Sequence, residues 1–159
     1  MKGLLFILCI SAVGRPALAK DNLAEDLLAI VNMKPAEVTQ QKVSAVFGQP
    51  TETEAGKKEL VWHYVTDNAR LNIYWREKDS TMEKFSFVYT QVDEKRQFDN
   101  ALAVKLKLGK TVLADAVQVF GVPKDMTIKH MNQELHYKYK GNMLNLFFRK
   151  GMLVNYTLY

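Results

Sequence analysis

One segment of this chain occurs twice, and that limits it to folds that can be assembled from two copies of one unit. Val46-Phe47-Gly48-Gln49-Pro50 returns 73 residues later as Val119-Phe120-Gly121-Val122-Pro123. The same ungapped offset carries His63-Tyr64 onto His136-Tyr137, and Leu71-Asn72-Ile73-Tyr74-Trp75-Arg76 onto Leu144-Asn145-Leu146-Phe147-Phe148-Arg149. Nine of the 31 aligned pairs are identical, where average composition would give roughly two. Most of the other pairs between the strand-like runs exchange one apolar residue for another.

Each copy reads as two helices followed by three strands. The opening helix places Leu23, Leu27, Leu28, Ile30 and Val31 at helical spacing in the first copy, and Phe98, Leu102, Val104 and Leu106 in the second. Asn22 and the Asp93-Glu94 pair are the expected start signals, and Pro35 or Gly109 marks the break that follows. A second short helix is capped by Thr39 or Thr111. Its apolar face is Val43, Val46 and Phe47, or Leu113, Ala116, Val119 and Phe120. Gly48 and Gly121 end it in a left-handed C-cap conformation, with Pro50 and Pro123 preventing continuation. These two Gly-x-Pro pairs are therefore structural residues.

Alternation with period two then defines the strands. Leu60, Trp62 and Tyr64 share a face, as do Leu71, Ile73 and Trp75, then Phe85, Phe87 and Tyr89. The second copy repeats this with Leu135, Tyr137 and Tyr139; Leu144, Leu146 and Phe148; and Val154, Tyr156 and Leu158. Asp67-Asn68, Gly141-Asn142, Lys78-Asp79-Ser80 and Lys150-Gly151 are the turn candidates. The expected fold class is α+β: tandem ααβββ repeats forming a two-layer sandwich, with helices on one face of an antiparallel sheet. The divisions expected are a leader at 1–19, a first repeat at 20–90, a linker or helix start at 91–96, and a second repeat at 97–159.

The leader is read as a cleaved signal peptide. Lys2 is its positive end, Leu4 to Val13 its apolar stretch, and Ala17-Leu18-Ala19 a small-x-small cleavage site. Ten apolar residues are too few to span a bilayer, which needs about 20. Gly14, Arg15 and Pro16 would break a buried helix. Cys9 follows the bulky Phe6-Ile7-Leu8, so a lipid-attachment site is excluded. Composition matters at this point. The 22 basic and 17 acidic residues give a formal charge of +5, and losing Lys2 and Arg15 leaves 20 against 17. The single cysteine leaves as well, which removes disulfides, thiol nucleophiles and thiolate-bound zinc from consideration. A periplasmic or secreted location follows, and nucleic acid is not an expected partner.

The segment Leu108-Gly109-Lys110-Thr111, followed by Asp115-Ala116-Val117-Gln118-Val119-Phe120-Gly121-Val122-Pro123, resembles the signature of the SmpA/OmlA (BamE-like) envelope domain. That signature runs Gly-x-Thr, a short helix, Gly-x-Pro, and a strand bearing Trp/Tyr-x-Tyr. Trp62-His63-Tyr64 and Leu135-His136-Tyr137 stand where the aromatic strand belongs. The tandem arrangement is also similar to the beta-lactamase-inhibitor-protein (BLIP-like) fold. Two departures accompany the likeness. BamE-like proteins are usually single-unit lipoproteins, and beta-lactamase inhibitors carry disulfides. What the resemblance implies is a non-enzymatic envelope module that binds protein, or else lipid.

Catalytic signatures are missing: the sequence holds no Gly-x-Ser-x-Gly, no phosphate-binding loop, no His-Glu-x-x-His and no Gly-x-Gly-x-x-Gly. No catalytic residue, metal ligand or cofactor is assigned. His63 and His136 are repeat mates on the sheet face turned away from the helices, where a solvated histidine beside a counter-charge is the plain expectation. That outward face carries His63, Asn72, Tyr74 and Arg76 in one copy, with His136, Lys138, Asn145, Phe147 and Arg149 in the other. Arginine among exposed aromatics is the composition enriched at protein interfaces. These nine residues are the candidate partner-binding set. An envelope or secreted protein is the expected partner, and an anionic lipid or polymer the second choice, because Lys124, Lys129, Lys138, Lys140, Arg149 and Lys150 make the second copy the more basic. Inhibition of a secreted hydrolase is the alternative function, and a small-ligand carrier the third.

Overall fold

A computed structural model describes residues 23–31, 33, 37–78, 80–90 and 100–159. The leader, the 91–96 linker, Asn22, Pro35, Asp79, Asp93, Glu94 and Phe98 lie outside the described residues. Elements run in the order α1 (Leu23–Val31), α2 (Gln40–Phe47), β1 (Glu52–Ala55), β2 (Glu59–Val65), β3 (Ala69–Arg76), β4 (Met82–Tyr89), α3 (Asn100–Ala103), α4 (Leu113–Phe120), β5 (Asp125–Lys129), β6 (Asn132–Tyr139), β7 (Asn142–Arg149) and β8 (Met152–Leu158). The eight strands form one antiparallel sheet in sequential order β1 to β8.

This corrects the expected architecture. Instead of a tandem ααβββ sandwich, the molecule is dominated by one eight-stranded sheet accompanied by a few short helices. The two unexpected strands are β1 and β5. Glu52-Thr53-Glu54-Ala55 is exposed at every position, so as an edge strand it has no apolar alternation to betray it. In β5 only Met126 and Ile128 alternate inward, too short a run to read as a strand. The second opening helix does not continue to Leu106 as expected. Among the described residues of that stretch Asn100–Ala103 is helical; Lys105 and Leu106 then donate to Leu102 and Ala103 in tight turns. Val104 is left 79% exposed while Leu106 is buried, so the supposed apolar stripe does not share one face.

β4 and β5 join the halves, with Phe85 opposite Ile128 and Phe87 opposite Met126. Inward residues of the sheet form one core with Leu27, Ile30, Val43 and Phe47 from the first two helices and Leu113, Ala116, Val117 and Phe120 from α4. Trp75, Tyr64, Phe47, Phe85, Phe87, Phe120 and Phe148 are its largest fully buried side chains among the described residues.

The repeated motif has a single mechanical job. Gly48 has φ 79 and ψ −157, Gly121 φ 79 and ψ −161. These are not the left-handed helical values expected but the extended region at positive φ that essentially only glycine occupies. The Gly48 carbonyl then accepts from the Tyr64 hydroxyl at 3.1 Å, and Gly121 from Tyr137 at 3.1 Å. Phe47 packs on Tyr64 with ring centroids 5.5 Å apart, Phe120 on Tyr137 at 5.6 Å. Each helix end is thereby pinned to a strand centre. Thr39 caps α2, accepting from the Lys42 amide at 3.2 Å. Thr111 does not cap α4: its hydroxyl accepts from the Lys107 amide instead, and the cap position is Val112. The start of α4 is held by the sheet, with Leu113 donating to Gly151 and Leu153 to Thr111.

Candidate functional site

Strand pairing places all nine candidate residues on the face opposite the core, because side chains alternate across a strand. One cross-strand row runs Glu52, His63, Asn72, Ser86, Thr127, Glu134, Phe147, Asn155. The row on one side is Val65, Arg70, Val88, Asp125, His136, Asn145, Thr157. The row on the other is Glu54, Val61, Tyr74, Lys84, Lys129, Asn132, Arg149, Met152. His63 and His136 therefore do not converge. They are four strands apart, about 19 Å, and staggered by two residues, about 7 Å.

Each histidine nonetheless has the same immediate setting. His63 Nδ1 lies 2.8 Å from Asn72 Oδ1, and His136 Nδ1 lies 2.7 Å from Asn145 Oδ1. An amide oxygen can only accept, so the ring proton sits on Nδ1. The Asn145 amide nitrogen donates to Thr157 Oγ1 at 3.3 Å and to the Tyr159 hydroxyl at 2.7 Å. Nε2 of His63 faces Glu54 at 3.7 Å; Nε2 of His136 faces Asp125 at 3.8 Å and Glu134 at 3.9 Å. Among the described residues, no group of three or more His, Cys, Asp or Glu is placed to hold a metal ion.

The remaining candidates spread along the face. Tyr74 is half-buried beneath the Lys84 ammonium, which lies 5.0 Å from the ring centroid, a cation–π contact. Phe147 meets the His136 ring edge-on at 6.4 Å. Arg76, Lys138 and Arg149 are exposed, while Asn145 is only 6% exposed. Lys84 stands directly opposite Lys129, a like-charge pairing that is unfavourable in a sheet. With Arg149 in the same row and Arg76 at its border, one end of the face is a cationic band crossing both halves.

Sequence reasoning left Glu54, Asp125, Lys129 and Tyr159 out of the site. Three of them sit on the two strands that periodicity does not reveal. The alternation of Met126 and Ile128 after the second Gly-x-Pro was the available signal for Asp125 and Lys129.

Eight antiparallel strands in chain order, cored on one face and polar on the other, make a fold that a solved structure shares. A crystal structure of a "putative beta-lactamase inhibitor protein" from Streptococcus mutans has it: TM-score 0.58, 18% identity, covering 85% of this chain and 96% of that one. A DUF4309 family protein from Bacillus subtilis aligns over 87% of this chain and 95% of its own, at 14% identity and TM-score 0.31. No family model and no curated protein matches the sequence. The BLIP-like resemblance thus holds at the level of fold. The SmpA/OmlA resemblance rests on the residues quoted for it alone.

Proposed function

We propose that this protein is an exported, non-enzymatic binding module that engages an acidic protein surface through the open face of its sheet. The observation that carries the reading is the cationic band of Arg76, Lys84, Lys129 and Arg149. It brings Lys84 and Lys129 face to face beside the half-buried aromatics Tyr74 and Phe147. Arginine and aromatics of this kind dominate interface energetics, and a band whose four cations outnumber Glu54 in its row and Glu59 opposite Arg76 steers an oppositely charged partner. Crosslinking capture from envelope extract, with Arg76→Ala/Arg149→Ala alongside the wild type, tests it. The double variant should lose at least tenfold in capture while its melting temperature stays within a few degrees. Undiminished capture refutes the assignment to this face.

A second reading, inhibition of a secreted hydrolase, is favoured by the fold shared with the Streptococcus mutans protein. Titration against beta-lactamases and cell-wall hydrolases separates the two. Dose-dependent inhibition weakened by the same double variant supports the inhibitor; none at micromolar protein removes it.

A further inference from the structure

A cleft of about 500 Å³ opens on the core side at one end of the sheet. It lies where the end of α1, the start of β4, the start of α4 and the turns β5–β6 and β7–β8 meet. Four of the chain's seven methionines line it: Met33, Met82, Met131 and Met152. Such unbranched, polarizable side chains adapt to an apolar ligand without a fixed shape. Met131 and Met152 are 49% and 45% exposed, so the cleft is apolar at its mouth as well as at its floor.

The walls are fastened. Lys150 donates its amide to the Met131 carbonyl at 2.6 Å, and Gly151 to Gln133 Oε1 at 3.1 Å, which explains why Gln133 can be buried. Leu113 donates to Gly151 at 3.0 Å, closing the third side. Among the described residues no carboxylate lines the cleft; the ionisable ones are Lys150 and His130, both exposed. Lys129 and Arg149 end the strands that lead into those two turns.

A volume within the roughly 300–1,000 Å³ of small-molecule sites, an adaptable apolar lining and a mouth of one sign describe a ligand with a straight apolar tail and an anionic head. We propose that the cleft binds a single fatty acid, its carboxylate beside Lys150 and His130 and its chain among the four methionines. None of the described residues lining the cleft belongs to the nine candidates on the outer face of the sheet.

Calorimetric titration of the purified protein with laurate, decanoate and dodecyltrimethylammonium, each below its micelle concentration, tests it. Laurate should bind at one site per chain and about fifteenfold more tightly than decanoate, given about fourfold for each of the two extra buried methylenes. The cationic amphiphile should bind at least tenfold more weakly, and Lys150→Glu should abolish that difference. Met131→Glu, at an exposed position outside the core, should block laurate. Methyl NMR should shift Met33, Met82, Met131 and Met152 and leave Met126 and Met143 in place. Absence of saturable laurate binding, equal affinity for both head groups, binding unchanged in Met131→Glu, or shifts confined to Met126 and Met143 would each overturn the proposal.

Discussion

Asn145→Ala and Asn72→Ala remove equivalent side chains from the two halves, yet their costs should differ about twofold. Asn145 accepts from His136 and donates to Thr157 and Tyr159, whereas Asn72 has the His63 contact. The difference arises at the neighbouring strand. β8 sets Thr157 opposite Asn145 and ends on Tyr159; β4 sets Ser86 opposite Asn72 and has Val88 where a second hydroxyl would be needed. Each neutral hydrogen bond contributes about 0.5–1.5 kcal/mol net, and the exposed Tyr159 hydroxyl recovers water when its partner goes. We therefore expect a loss of about 2 kcal/mol for Asn145→Ala and about 1 kcal/mol for Asn72→Ala. At roughly 2–4 °C per kcal/mol for a chain near this size, the melting temperature falls by about 4–8 °C and 2–4 °C respectively. Urea titration followed by tryptophan fluorescence measures this directly, because Trp75 is fully buried. Unchanged m-values would show that only stability moved. Equal losses, or a larger loss for Asn72→Ala, would refute the claim that the terminal residues of β8 stiffen the second half of the face.

Tyr64→Phe should cost about 1 kcal/mol through the lost bond to Gly48, and the same change at Tyr137 a similar amount. The two should add, since the sites share no partner; thermal melts of the three variants check this. Burial holds the Tyr64 phenol well above its usual range, so above about pH 10 the unfolded chain releases this proton while the folded chain keeps it. Stability should then fall as pH rises, by up to about 1.4 kcal/mol per unit, and Tyr64→Phe should flatten that fall in alkaline urea titrations. Gly121→Val places a β-branched residue at φ 79 and ψ −161, a region costing about 1–3 kcal/mol even for tolerant residues; the soluble folded yield should drop, and wild-type yield would count against the pinning role. Lys129→Glu converts the like-charge pair with Lys84 into an attractive one, so stability should rise by about 0.2–1 kcal/mol while partner capture declines.

Particular residues show how much was legible beforehand. Phe47, Gly48, Pro50 and Tyr64, with their mates Phe120, Gly121, Pro123 and Tyr137, stand at fixed spacing because one contact must be made in each half. Spacing alone therefore exposed them. The inward residues of β2, β3, β4, β6 and β7 were legible for a similar reason: alternation is imposed by the pleat. In β8 the expected face of Val154, Tyr156 and Leu158 is exposed and Leu153 is the buried residue, because the strand lies at the sheet edge and its register shifts at Phe147/Phe148. β1 and β5 escaped because an exposed edge and a two-residue apolar alternation leave almost no periodic trace. The Leu102–Leu106 part of the expected stripe misled because helical spacing permits a helix without requiring one, and Leu106 is buried from a turn.

Of the candidate site, the face on which His63, Tyr74, Arg76, His136, Phe147 and Arg149 lie followed from alternation within their own strands. Their arrangement did not. The amino-acid sequence by itself determined that these side chains point away from the core and that His, Asn and Arg recur at matching positions in the two halves, since both are local properties of a strand. Only the tertiary structure decided that the halves join through β4 and β5, that the two histidine settings are staggered, that Lys84 meets Lys129, and that four methionines from distant segments line one cleft. Those are matters of register and packing between residues far apart in the chain, where no local period reaches.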